Sequence, residues 1–90
     1  MTNYLVLDTN ILLLDANNLI NLGDEDTQIV LPSMVLDEVD SKKSGFTEIS
    51  FQAREVGRLL TSGHKRKSVQ TTDFTYTTIT IDKRVVVVVE

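Results

Sequence analysis

The chain has 90 residues, 41% of them hydrophobic and 24% charged, with a net charge of −4, which suits one small globular domain. It holds no cysteine and a single histidine, His64, so disulfides, thiolate metal sites and His-rich zinc sites are excluded and metal chemistry must use oxygen ligands. No basic stretch precedes the first apolar run, and no run approaches the roughly 20 residues of a membrane span, so a soluble, cytoplasmic chain without membrane contact is expected.

Tyr4-Leu5-Val6-Leu7 is a short apolar run with a β-branched member, as in strands buried on both faces of a parallel sheet. Asp8-Thr9-Asn10 interrupts it before Ile11-Leu12-Leu13-Leu14. Asp8 therefore falls just past the carboxyl end of a strand, where open α/β sheets bind ligands. Asp-Thr-Asn is equally good material for a helix N-cap or an Asx-turn, and local chemistry leaves both readings open. Residues 17–22 suggest a short, irregular helical connection, and Gly23 to Asp26 an acidic loop. Gln28-Ile29-Val30-Leu31 reads as a second buried strand stopped by Pro32.

Ser33 is a candidate N-cap for a helix over 34–41. At about 100° per residue, Val35, Leu36 and Val39 share one face and Asp37 points to solvent. Glu38 and Asp40 flank the apolar face, and Glu38 lies one turn from Met34. The next helix spans 47–62: Ile49, Ala53, Val56 and Leu60 keep helical spacing, Thr47 can cap it, and Gly63 is expected as its C′ residue. His64 to Lys67 then reads as a solvated basic loop behind the helix's negative end, with phosphate contact as the functional alternative. Thr71 to Thr80 is strand-like, Asp82-Lys83-Arg84 a turn, and Val85 to Val89 a valine strand.

The order β-α-β-α-α-β-β indicates an α/β fold with a parallel start and a final hairpin. Two carboxylates from separate elements, Asp8 and Glu38, could share a hard divalent cation that keeps several waters. Asp73, Asp82 and Glu90 have blander roles as turn or terminus. The net charge argues against a generic polyanion binder, yet carboxylates that gather cations count towards that charge too.

Taken in order, "YLVLDTNILLLD", "IVLPSMVLDEVDSKK" and "FTEISFQAREVGRLL" resemble the front portion of a PIN domain, most of all the one preceding the ATPase of PhoH-like proteins, phage-borne ones included. The resemblance is strong over residues 4–62. It implies a three-layer α/β sandwich with a partly parallel central sheet, incomplete at the C-terminus, in one domain over 1–90 whose residues 64–90 form an extended hairpin segment. It further implies a nuclease lineage using Mg²⁺ or Mn²⁺ on single-stranded RNA. Asp8 and Glu38 match the first two family acids and are the catalytic and metal candidates. Asp40 matches a commonly acidic position and joins the metal candidates, while Thr9 and Asn10 would orient Asp8. Lys42, Lys43, Lys65, Arg66 and Lys67 are the RNA-contact candidates. The family's later acids have no counterpart here, so a completing partner chain or a homo-oligomer is expected. The alternative is a non-catalytic assembly module that pairs through the edge of its valine strand.

Overall fold

Strand and helix alternate as the apolar periods require, and the connections decide which residues meet. A computed structural model describes residues 2–90. The elements run β1 (Asn3–Val6), α1 (Thr9–Leu14), α2 (Asn18–Asn21), β2 (Thr27–Pro32), α3 (Ser33–Ser41), α4 (Glu48–Ser62), β3 (His64–Gln70), β4 (Thr75–Ile81) and β5 (Arg84–Val89). They build a five-stranded sheet of order β1-β2-β5-β4-β3. β1, β2 and β5 are mutually parallel, while β4 and β3 add antiparallel.

The expected mixed α/β fold with a partly parallel sheet is present. The valine strand, however, is not an edge. β5 lies in the middle, hydrogen-bonded to β2 on one side and β4 on the other, so pairing through it is overturned: both its ladders are filled within the chain. The edges are β1 and β3.

Register sorts the sheet's side chains into two faces. Leu5 pairs with Ile29, Ile29 with Val86 and Val86 with Ile79, which puts all four on one side. Those strand residues share a single core with Leu12, Leu19, Val35, Val39, Ala53, Val56 and Leu59 of the helices. Fully burying such side chains is worth about 1.5–3 kcal/mol each before entropy is counted. The alternate positions, among them Tyr4, Val30 and Val87, point the other way. Among the described residues no helix belongs to that second face, where Tyr4 and Val6 stand 66% and 63% exposed.

Three local expectations are corrected. Pro32, not Ser33, occupies the N-cap of α3, and no side chain caps that helix; the chain turns directly from strand into helix, and proline needs no amide partner there. Gly63 is the C-cap of α4 and not its C′ residue, with ordinary extended dihedrals (φ −65°, ψ 156°). The room it leaves is steric, since a Cβ there would sit 2.1 Å from Ile79 Cγ2. Finally, His64–Gln70 is a strand, not a loop. It pairs with β4 around an irregularity between His64 and Lys67, where Lys65 takes a positive φ of 55°, as bulges allow. Thr71 to Phe74, expected to be extended, instead closes that hairpin: Thr71 Oγ1 and Thr71 N donate to Phe74 O, both at 2.8 Å.

Thr47 caps α4 as expected. Its Oγ1 accepts from Ser50 N at 3.1 Å, and Ser50, 4% exposed, donates onward to Ser44 O at 2.7 Å. Arg54 donates to Lys43 O and Gly45 O at 2.7 and 3.0 Å, which fastens the α3–α4 loop to α4. Asp82 (φ 55°) begins the tight turn between β4 and β5, a conformation aspartate tolerates better than most residues.

Candidate active site at the carboxyl edge of the sheet

Parallel strands deliver their carboxyl ends to one edge. Leu7 N donates to Val30 O at 3.2 Å and is the last ladder residue of the first strand, so Asp8 is the first residue beyond the sheet. The neighbouring strand passes into α3 at Ser33 on the same edge. β5 reaches it too, with Val89 beside Pro32 and Glu90 immediately after.

Asp8 occupies the N-cap position of α1. Its backbone carbonyl accepts from Ile11 N and Leu12 N at 3.2 and 3.4 Å. Its carboxylate makes no capping hydrogen bond and is exposed. The N-cap reading therefore holds for the backbone only, and the side chain is left uncommitted. Beside it Thr9 is 5% exposed, and its Oγ1 is a buried side-chain oxygen with no hydrogen-bond partner. A buried hydroxyl without a partner costs about 1–3 kcal/mol, so folds rarely keep one without a use. Asn10 is exposed on the first turn of α1.

Glu38 lies on α3, exposed, about 7–8 Å along the axis from Ser33 at the helical rise. Asp37 faces solvent as expected. Asp40, two residues beyond Glu38, projects from the opposite border of the helix, because residues two apart do not share a face. There it pairs with Lys43 at 2.8 Å, and Lys43 lies across α4 where Gly57 leaves space: a Cβ at Gly57 would meet Lys43 Nζ at 2.8 Å. Asp40 is thus turned towards the α4 side and occupied by a cation, while Asp8 and Glu38 are free of ion pairs among the described residues.

Of the candidate RNA contacts, Lys42 ends α3 and is exposed. Lys65, Arg66 and Lys67 are exposed on the β3 edge strand. Arg66 donates to Leu60 O and so satisfies a carbonyl at the end of α4, while Lys67 shares a sheet face with its partner Thr78. Lysines on an edge strand also discourage strand-to-strand association.

Among the described residues no three His, Cys, Asp or Glu side chains gather into a metal-binding group. The fit to a divalent cation is accordingly that of a hydrated ion: oxygen donors only, two carboxylates, and a neighbouring hydroxyl with a vacant hydrogen bond. Mg²⁺ is commonly held this way, by one or two carboxylates with waters completing its shell. Glu90, assigned a bland role by sequence, ends a strand parallel to β1 and two strand spacings away, about 10 Å. No pattern in the chain could have shown that, because it depends on β5 inserting beside β2. A concavity of about 980 Å³ lies elsewhere, among Leu59, His64, Ile81 and Arg84 at the amino edge. Arg84 is spent there on Leu22 O and Asp24 O, which anchors the α2–β2 loop.

Sequence comparison bears on this edge directly. The PIN domain family profile matches residues 5–88. Protein PhoH2 of Bacillus subtilis (strain 168) is 43% identical over 60 residues, which are 67% of this chain and 13% of that protein. The chain thus spans a small part of the curated relative that it matches. No solved structure gives a significant match.

Proposed function

The chain belongs to the PIN domain family, and on that premise we propose that its carboxyl edge is the metal-binding half of a nuclease site acting on single-stranded RNA. The observation that carries the reading is the uncommitted Asp8 carboxylate at the end of β1, beside the partnerless buried hydroxyl of Thr9. Asp8 and Glu38 would hold Mg²⁺ or Mn²⁺, and Thr9 and Asn10 would fix the loop that aims Asp8. Asp40, paired with Lys43, stays outside this set. Such an ion, when bound, supplies a Lewis acid and an activated water for phosphodiester hydrolysis. The chain's own part is to orient Asp8 at a rigid strand end and Glu38 on α3, and to accept a proton at a carboxylate oxygen. Exposed Lys42 would give a phosphate contact that carries no base information, whereas Lys65 and Lys67 lie on β3 at the opposite side of the sheet from β1 and would meet only RNA that extends well beyond the site. Further acids would come from outside these residues.

The test is cleavage of a labelled single-stranded RNA with Mn²⁺ or Mg²⁺ by the chain joined by the segment or partner that carries the further acids, alongside chelator controls. Metal-dependent cleavage is expected, with a loss of at least about a hundredfold in Asp8→Asn and Glu38→Gln, as for removal of a charge-stabilising group. Intact RNA at saturating metal, or undiminished cleavage by Asp8→Asn, defeats the proposal.

A further inference from the structure

Between the end of α3 and the outer surface of α4 lies an open groove of about 460 Å³, lined by Lys43, Arg54, Gly57, Arg58 and Thr61. Arg54, Arg58 and Thr61 keep helical spacing and so form one stripe of α4. Gly57 opens that stripe: Lys43 crosses it, with Nζ 2.8 Å from where a Cβ would stand. Three cations from two elements therefore border one recess floored by glycine. Each keeps free donors. Arg54 uses only Nη1, which donates to Lys43 O and Gly45 O. That double anchor fixes the guanidinium, while Nε and Nη2 have no partner among the described residues. Arg58 directs Nε and Nη2 to Glu55 and keeps Nη1. Lys43 pairs with Asp40 alone. Three cations against the carboxylates of Asp40 and Glu55 leave a surplus positive charge here, on a chain whose net charge is −4.

We propose that this groove binds the phosphate backbone of single-stranded RNA, at a phosphodiester away from the scissile one. The ligand class rests on the nuclease reading above, but binding here needs neither metal nor cleavage. Guanidinium forks match phosphate oxygens in pairs, and a guanidinium already held by two carbonyls loses little freedom on binding. The exposed ion pairs with Asp40 and Glu55 are individually weak, so Lys43 and Arg58 can exchange a carboxylate for a phosphate. The recess is open along its length, which suits a polymer that enters and leaves. It is also set apart from the metal candidates, because Lys43 pairs with Asp40 on the border of α3 opposite Glu38. A phosphate held here strengthens ground state and transition state alike, and so lowers KM without altering kcat.

The experiment is fluorescence anisotropy of a labelled single-stranded RNA titrated with the full chain in chelator, where cleavage cannot intervene. Binding that weakens with salt is expected. Thr61→Glu sets a carboxylate in the groove at an exposed position and should weaken affinity about tenfold, as loss of a charge-assisted contact does. Arg58→Ala should lower the slope of log K against log salt by about 0.7. Gly57→Glu displaces Lys43 while improving helix propensity, so its loss of affinity cannot be laid to unfolding. Gln70→Glu adds the same charge as Thr61→Glu at the exposed far end of β3 and should bind within about twofold of the parent. In NMR titration the Nε–Hε signals of Arg54 and Arg58 should move on adding RNA. No binding by the parent, parent affinity in both Thr61→Glu and Gly57→Glu, or an equal loss in Gln70→Glu overturns the proposal. RNA bound here but left intact by the completed chain would sink the nuclease reading alone; cleavage at unchanged KM in Thr61→Glu and Gly57→Glu would sink only the groove.

Discussion

Gly63→Ala tests how the α4–β3 junction is built. The backbone at Gly63 (φ −65°) accepts alanine without strain, and shortening the unfolded chain's freedom by itself favours the variant by about 0.4–1 kcal/mol. Against that stands a contact of 2.1 Å between the new Cβ and Ile79 Cγ2, with Leu60 O and Ile81 Cγ1 at 3.2 and 3.3 Å. Carbon atoms prefer about 3.5–4.0 Å, so one partner must retreat by roughly 1.5 Å. Ile79 is 4% exposed and β-branched, with a stiff first torsion, and it cannot swing away. Overpacking of this kind costs about 1–3 kcal/mol, which leaves a net destabilisation of about 1–2 kcal/mol and a fall in Tm of roughly 5–15 °C. Urea titration followed by far-UV circular dichroism measures it. In an Ile79→Ala background, where Cγ2 is gone, the penalty should shrink by at least about 1 kcal/mol. A left-handed C′ glycine would instead give a penalty indifferent to Ile79. An unchanged midpoint, or equal penalties in the two backgrounds, refutes the steric account.

Thr9→Val removes the partnerless hydroxyl at constant shape, so the metal-free chain should gain about 1 kcal/mol in urea titration while metal-dependent cleavage falls. Thr47→Ala removes the α4 cap and strands the Ser50 hydroxyl network, for a loss of about 1 kcal/mol by thermal denaturation. The Arg58 guanidinium, hydrogen-bonded to Glu55 at 2.6 Å, holds that carboxyl below its ordinary 4.5. A lowered folded value means that the pair's contribution is present above the ordinary value and lost as pH falls through the lowered one. Arg58→Ala should therefore raise the Glu55 midpoint seen by NMR titration, and its stability difference from the parent should vanish in acid.

Periodicity made most of the fold legible. β1, β2, α3, α4 and the β4–β5 hairpin follow from alternation, helical spacing and turn residues, and Asp8 could be placed at a strand end from a five-residue window. The failures share a cause: each concerns an element defined by what lies beside it. His64–Gln70 has no apolar alternation, and it is extended because Thr75–Ile81 offers a ladder, not because its own residues ask for one. The valine strand looked like an unpaired edge because no apolar run beside it in sequence offers a partner for both its ladders, whereas in space it fills the gap between β2 and β4. Gly63 carried the spacing of a helix terminator, but the constraint on it comes from Ile79, sixteen positions later. Asp40 joined Glu38 as a metal candidate in sequence, but Lys43 folds back on it and pairs with its carboxylate.

The central place of β5 also separates the open face of the sheet from its carboxyl edge. With both ladders of β5 filled, its valines can reach a partner only through the sheet face, whereas the carboxylates act from the sheet edge. Tyr4 and Asp8 lie on the same strand and its exit, four residues apart and so about 13 Å at the strand rise, with Tyr4 on the open face and Asp8 beyond the ladder. Tyr4→Glu should therefore retain metal-dependent cleavage within about twofold, a free-energy difference near 0.4 kcal/mol. A larger loss of activity in that variant, with the parent circular dichroism kept, would mean that the face helps to build the site, and the separation of face from edge would be wrong.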